Sequence, residues 1–138
     1  MKRRLLFGIL LGLLCFLCVP LYGKHYKAPK LKLASLQYEL GTINQDDSVY
    51  VLDVPFKNVG DGDLVFEDIS PDCPCIHVSF EKKVYPPKSK GNIHIEIDLS
   101  IPPQEMDKGI YIYSNATPFD TSIEVRFHGI LERSRKKK

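Results

Sequence analysis

The sequence predicts an all-β chain folded as a two-layer antiparallel sandwich, and three observations carry that expectation. Asn92 to Ser100 alternates strictly, with Ile93, Ile95, Ile97 and Leu99 on one side and Asn92, His94, Glu96 and Asp98 on the other; this is the period of a strand with one face in a core and one in water. Short apolar runs of this kind recur between clusters of Asn, Asp, Gly and Pro, which tolerate the backbone angles that tight connections need. No stretch shows a convincing helical period and no internal repeat is present, so the runs have to be buried by sheet packing on sheet.

In chain order, Lys2-Arg3-Arg4 precede an uncharged run from Leu5 to Gly23. That is the basic start and apolar body of an export signal. The run is also long enough to cross a bilayer as an uncleaved anchor. Leu21-Tyr22-Gly23 ends in a small residue with Leu three back, and cleavage is the expectation, an anchor the alternative. Lys24, Lys27, Lys30 and Lys32 follow at once and weaken the charge asymmetry that would orient an anchor with its C-terminal part outside. Cys15 and Cys18 lie within the run, each after a Leu, and read as apolar residues rather than lipidation sites.

About 115 residues remain, the size of one domain with a single core. The expected division is 1–23 signal or anchor, 24–34 basic linker, 35–132 sandwich and 133–138 basic tail. Leu36 to Leu40 reads as a first strand closed by the turn from Asn44 to Asp47. Val49 to Phe56 is the second, with Tyr50, Leu52, Val54 and Phe56 inward; Pro55 lacks a ladder donor and places this strand at an edge or a bulge. The turn Asn58 to Asp63 leads to Leu64–Ile69, then to Ser70-Pro71-Asp72-Cys73-Pro74-Cys75-Ile76-His77, and Ile76, Val78 and Phe80 alternate as another strand. Tyr85 to Gly91 is a loop, Ile101-Pro102-Pro103 stops the Asn92 strand, and Gly109–Tyr113 and Ser122–Leu131 supply the last two.

Charge is unevenly spread. Beyond Gly23, 16 Lys and Arg meet 17 Asp and Glu, yet Leu33 to Glu132 holds only 7 of those bases with all 17 acids, and five bases close the chain at Arg133, Arg135, Lys136, Lys137 and Lys138. The acidic body argues against a nucleic-acid partner, and short basic ends read as solvated termini.

Four segments together resemble a bacterial family of exported proteins known as domain of unknown function fifteen seventy-three, with relatives among the immunoglobulin-like domains of major sperm protein and hydin. They are Tyr38-Glu39-Leu40-Gly41-Thr42-Ile43, the F-x-N-x-G turn Phe56-Lys57-Asn58-Val59-Gly60 with Leu64, Asp72-Cys73-Pro74-Cys75 at the family's C-G-C, and Tyr113-Ser114-Asn115. The resemblance spans Leu36 to Leu131. It implies an immunoglobulin-like sandwich of about seven strands and brings no activity. Pro74 replaces the family's usual Gly, which fixes φ and removes a donor.

Cys73 and Cys75 are the candidate site. A C-x-C pair is a reducible disulfide, a dithiol, two buried cysteines or two soft-metal ligands. If the segment were extended, Cys73, Cys75 and His77 would share one face, about 6.6 Å apart along the strand, and Asp72 could add an oxygen; zinc wants a fourth ligand that the sequence does not name. His94 and His128 lie on polar faces and could be neighbours. Asp46/Asp47 and Glu67/Asp68 sit at turns, where acids cap. Tyr111 and Tyr113 are expected in the core, with a binding patch as the alternative. Asn115-Ala116-Thr117 matches a glycosylation sequon. No catalytic signature occurs. The expectation is a non-catalytic module outside the cytoplasm, in periplasm, envelope or medium. It needs no cofactor, and it binds an unknown protein or envelope partner through an edge or loops, with possible membrane association through the N-terminal segment. The alternative is a thiol redox or soft-metal-handling protein using Cys73 and Cys75.

Overall fold

A computed structural model describes residues 26–102, 104–118 and 121–133. The segment expected to be a signal or anchor, with Cys15 and Cys18, lies outside them, as does the tail beyond Arg133. The described chain forms eight strands: β1 Leu31–Leu33, β2 Gln37–Asn44, β3 Val49–Asn58, β4 Phe66–Pro71, β5 Ile76–Ser79, β6 Lys90–Asp98, β7 Glu105–Ser114 and β8 Ile123–Glu132. They make two four-stranded sheets, ordered β1-β3-β6-β5 and β2-β8-β7-β4. The sandwich fold is as expected. All neighbours are antiparallel except β2 and β8, which run parallel from Gln37↔Arg126 to Asn44↔Glu132.

Alternation places the core where the sequence put it. Val54, Ile93, Ile95, Ile97, Ile110, Ile112, Val125 and Phe127 are fully buried between the sheets. One corner of this core is aromatic: Phe56 meets Phe66 and Tyr85 edge to face at centroid distances of 4.8 and 4.9 Å, a geometry that adds to simple area burial. Two expectations fail here. Tyr111 and Tyr113 are half-buried on the outer side of β7, because Ile110, Ile112 and Ser114 take the inward positions. The stretch 24–34, expected as a linker, contributes β1, paired as Leu31↔Asn58, Lys32↔Lys57 and Leu33↔Phe56. Four closely spaced lysines hid a three-residue strand whose Leu31 and Leu33 pack on the core.

The family-like segments prove to be backbone devices. Gly41 has φ +65° and sits at the irregularity between Glu39 and Gly41 that keeps β2 in step with β8; a side chain there would be strained. Asn58 is buried and fully bonded. Its amide donates to the carbonyls of Gly62 (2.8 Å) and Tyr85 (2.9 Å), and its Oδ1 accepts from the N–H of Gly60 (3.0 Å) and Lys30 (3.2 Å). One side chain thus fastens the β3–β4 turn, the loop before β6 and the entry to β1. Asn115 does the same for the other side of that end, accepting from Val65 N–H and donating to the Asp63 carbonyl, each at 2.9 Å. Its amide is committed to this packing, so the sequon reads as a structural Asn.

Candidate functional site

The C-x-C segment lies where the chain leaves one sheet for the other, between β4 and β5. Asp72 stays with the first sheet: its N–H donates to the Gly109 carbonyl at 3.0 Å, and its carboxylate accepts from Arg126 Nη1 at 3.1 Å. Cys75 belongs to the second, its carbonyl accepting from Asp98 N–H at 2.8 Å. Between them Ile76 N–H donates to the Cys73 carbonyl at 3.1 Å and closes a tight turn. Pro74 occupies the second position of that turn, where its fixed φ is favourable and its missing N–H is not needed. The substitution of the family's usual Gly is therefore accommodated by the turn itself.

The two sulfurs are bonded, 2.05 Å apart, with Cα atoms 5.2 Å apart. Cys75 is only 7% exposed and belongs to the core, while Cys73 is half-buried and packs on its rim. The turn overturns the extended arrangement considered for metal binding. Cys75 and Ile76 are both buried in succession, and His77 points out from β5 opposite Glu96, so Cys73, Cys75 and His77 share no face. Asp72 is taken by Arg126. Among the described residues no cluster of three His, Cys, Asp or Glu side chains is placed to hold an ion.

Arg126 is a residue that sequence reasoning passed over. From β8 it pairs with Asp107 on the neighbouring β7 (Nη2–Oδ1, 2.6 Å), with Glu124 on its own strand and, across β7, with Asp72 (both 3.1 Å); the three acids raise its pKa further, Asp107 most of all. It runs over Gly109, where an added Cβ would stand 2.8 Å from the Val125 carbonyl and 3.1 Å from Arg126 Cδ. The sequence signal was present: Arg126 is the single cation in the outward row Glu124, Arg126, His128. His128 joins the same cluster through Asp107, Nδ1 to Oδ1 at 3.3 Å. His94 lies on the outer face of the other sheet, bonded to Asp53 at 2.9 Å, so the two histidines are not neighbours. That bond, with the nearby Glu96, raises the pKa of His94. Asn44 and Asp46 close their turn on each other, Asn44 Oδ1 accepting from Asp46 N–H at 3.2 Å and Asp46 Oδ2 accepting from Asn44 Nδ2 at 2.9 Å, while Glu67 sits at the irregularity of β4 between Phe66 and Asp68.

A second feature was foreseen only in part. Pro55 does sit where a strand pairing ends. Its carbonyl accepts from Ala34 N–H at 2.9 Å, and Val59 N–H donates to the Lys30 carbonyl at 2.8 Å. The odd-numbered residues of β3 therefore turn their backbone groups toward β1, and β1 stops at Leu33. Beyond it, Val49, Val51 and Asp53 face outward from the sheet edge with no backbone partner among the described residues. Val49 is 42% exposed and Val51 53%, while Tyr50 and Leu52 on the inner side are only half-buried. The other edges are guarded. β2 carries Glu39 and an irregularity, β4 carries Glu67, Asp68 and Pro71, and β1 and β5 have three and four residues.

Among curated proteins none matches the chain. Solved structures do match, at identities that show the fold alone. A protein of unknown function from Porphyromonas gingivalis W83 superposes with TM-score 0.66 at 17% identity over 76% of this chain and 48% of that one, so the chain spans about half its length. The ASH/PapD-like domain 7 of human CEP192 gives 0.55 at 9% identity, covering 78% and 89%. WR4, a C. elegans member of the MSP family, gives 0.52 at 14% identity, covering 72% and 96%. The likeness is one of fold, an immunoglobulin-like β-sandwich. The family described as Protein of unknown function (DUF1573) matches residues 31–130, which is nearly all of β1 to β8, and the chain belongs to that family.

Proposed function

We propose that this protein is an exported, non-catalytic β-sandwich module that binds a protein partner of the cell envelope by accepting an extended segment along the open half of β3. The observation that carries this reading is the uncovered edge from Val49 to Asp53, with outward backbone groups and exposed valines. An added strand gains main-chain hydrogen bonds from the edge and side-chain specificity from the surface beside it. Export is supported by the basic start and apolar run before Lys24.

The test is site-specific photocrosslinking from position 51 of the protein in its producing cell, with position 124 on the other sheet as control. A discrete adduct from position 51, absent from 124 and lost when Val49→Lys is added, supports the reading. No adduct, or the same adducts from both positions, overturns it.

One observation favours a second reading, a thiol redox role: the bonded pair at the sheet crossing has Cys73 half-exposed. Thiol labelling across a glutathione titration separates the two. A pair that cycles while position 51 captures nothing favours redox; a pair that stays oxidised throughout favours the binding module.

A further inference from the structure

Of the eleven Lys and Arg among the described residues, eight stand at one end of the sandwich: Lys27, Lys30, Lys32, Lys57, Lys82, Lys83, Lys88 and Lys90; the acids there are Asp61, Asp63 and Glu81, the last paired with Lys83, which leaves lysine in excess. This is the end where β3, β5 and β7 finish and β1, β4, β6 and β8 begin. The remainder, Lys108, Arg126 and Arg133, lie toward the disulfide corner. Within the cluster Lys32, Lys57 and Lys90 are directly opposite one another on three adjacent strands, a like-charge row that opposes folding. A groove of about 260 Å³ runs along the row, lined by Lys32, Lys57, Lys90, Pro55 and Phe56. Val59, Val84 and Tyr26 are exposed at the same end.

The chain enters here too. Ala28 N–H is fixed to Asp61 at 2.9 Å, and the apolar run ends at Gly23. Five residues reach at most about 18 Å. If the run is retained as an anchor, the lysine end is held beside the membrane it crosses.

We propose that this lysine-rich end is a docking surface for an anionic lipid bilayer, with the disulfide corner and its acids pointing away from the membrane. Charge complementarity favours lipid over a soluble partner: clustered lysines are attracted to anionic headgroups, and exposed Tyr and Val suit the headgroup boundary; where the apolar run is retained as an anchor, the short tether adds to this. The inference goes beyond the binding of a partner at β3, whose open half lies on the far side of Pro55 from the lysine row.

The test is lysine acylation of the full chain in vesicles of phosphatidylcholine alone or with phosphatidylglycerol, read by mass spectrometry. Lys32, Lys57 and Lys90 should react about threefold or more slowly in the anionic vesicles at low salt, the difference should vanish at 1 M salt, where screening falls to about 3 Å, and Lys108 should not change. The triple Lys32→Gln, Lys57→Gln, Lys90→Gln variant, altered only on an outer face, should lose the preference of Lys30 and Lys88 for slower reaction on anionic lipid. Equal rates in the two vesicles overturn the proposal. So does protection that appears without lipid and grows with protein concentration, which would assign this end to a second copy of the chain.

Discussion

Single side chains hold the ends of this sandwich, and their contributions are separable. Asn58→Ala strips partners from two backbone N–H groups and two carbonyls in a buried turn. Unsatisfied buried groups cost roughly 1–3 kcal/mol each, and partial rescue by water leaves an expected loss of about 3 kcal/mol in urea denaturation. The cysteine pair behaves oppositely. Closing a loop two residues long contributes only about 1.5 kcal/mol, so reduction by phosphine should lower stability by no more than that. Replacing Cys75 by Ser adds a buried hydroxyl and exceeds it, so Ala is the cleaner substitution. Pro74→Gly frees the turn and should shift the thiol–disulfide equilibrium more than the unfolding midpoint. His94 gives a pH signature. Its pKa is raised above the ordinary 6.5 by Asp53 first and Glu96 second, so its bond favours folding fully below the unfolded value and fades as pH rises through the raised one. In an NMR titration Asp53→Asn should bring His94 back toward the ordinary value; an unchanged midpoint would remove Asp53 as the cause.

Strands with clean alternation were legible from sequence and the others were not, for physical reasons. β6 read directly because Ile93, Ile95 and Ile97 stand on the same face with polar partners between. β1 was missed because a strand of three residues has no period to detect and Lys30 and Lys32 dominate its composition. Tyr111 and Tyr113, expected in the core, stand one residue out of phase with Ile110 and Ile112, whose wholly apolar side chains take the inward positions. At the candidate site the pairing of Cys73 with Cys75 was foreseeable, but the turn at Pro74 that separates them from His77 was not, and Arg126 became visible only when register set it across Gly109 from Asp72. At this scale Arg126→Met should loosen the β4–β5 crossing: backbone exchange at Asp72 should rise while the β3 and β6 amides stay protected. Equal loss across both sheets would show that Arg126 supports the whole fold instead.

The lysines of the described chain are polarised along its strands, eight of them at the entry end, where Asp61, Asp63 and Glu81 offset part of their charge, and the sandwich has one open edge on its flank. A bilayer under the lysine end would leave that edge free to meet another envelope protein. The edge is the central claim, and the alternation of β3 makes it measurable without any partner. In amide hydrogen exchange of the free protein, Val51 and Asp53 should exchange quickly because their N–H groups face out from the edge, whereas Leu52 and Val54, turned toward β6, should be slow. Protection of Val51 and Asp53 equal to that of Leu52 and Val54 would mean that the edge is already covered, and would contradict the account.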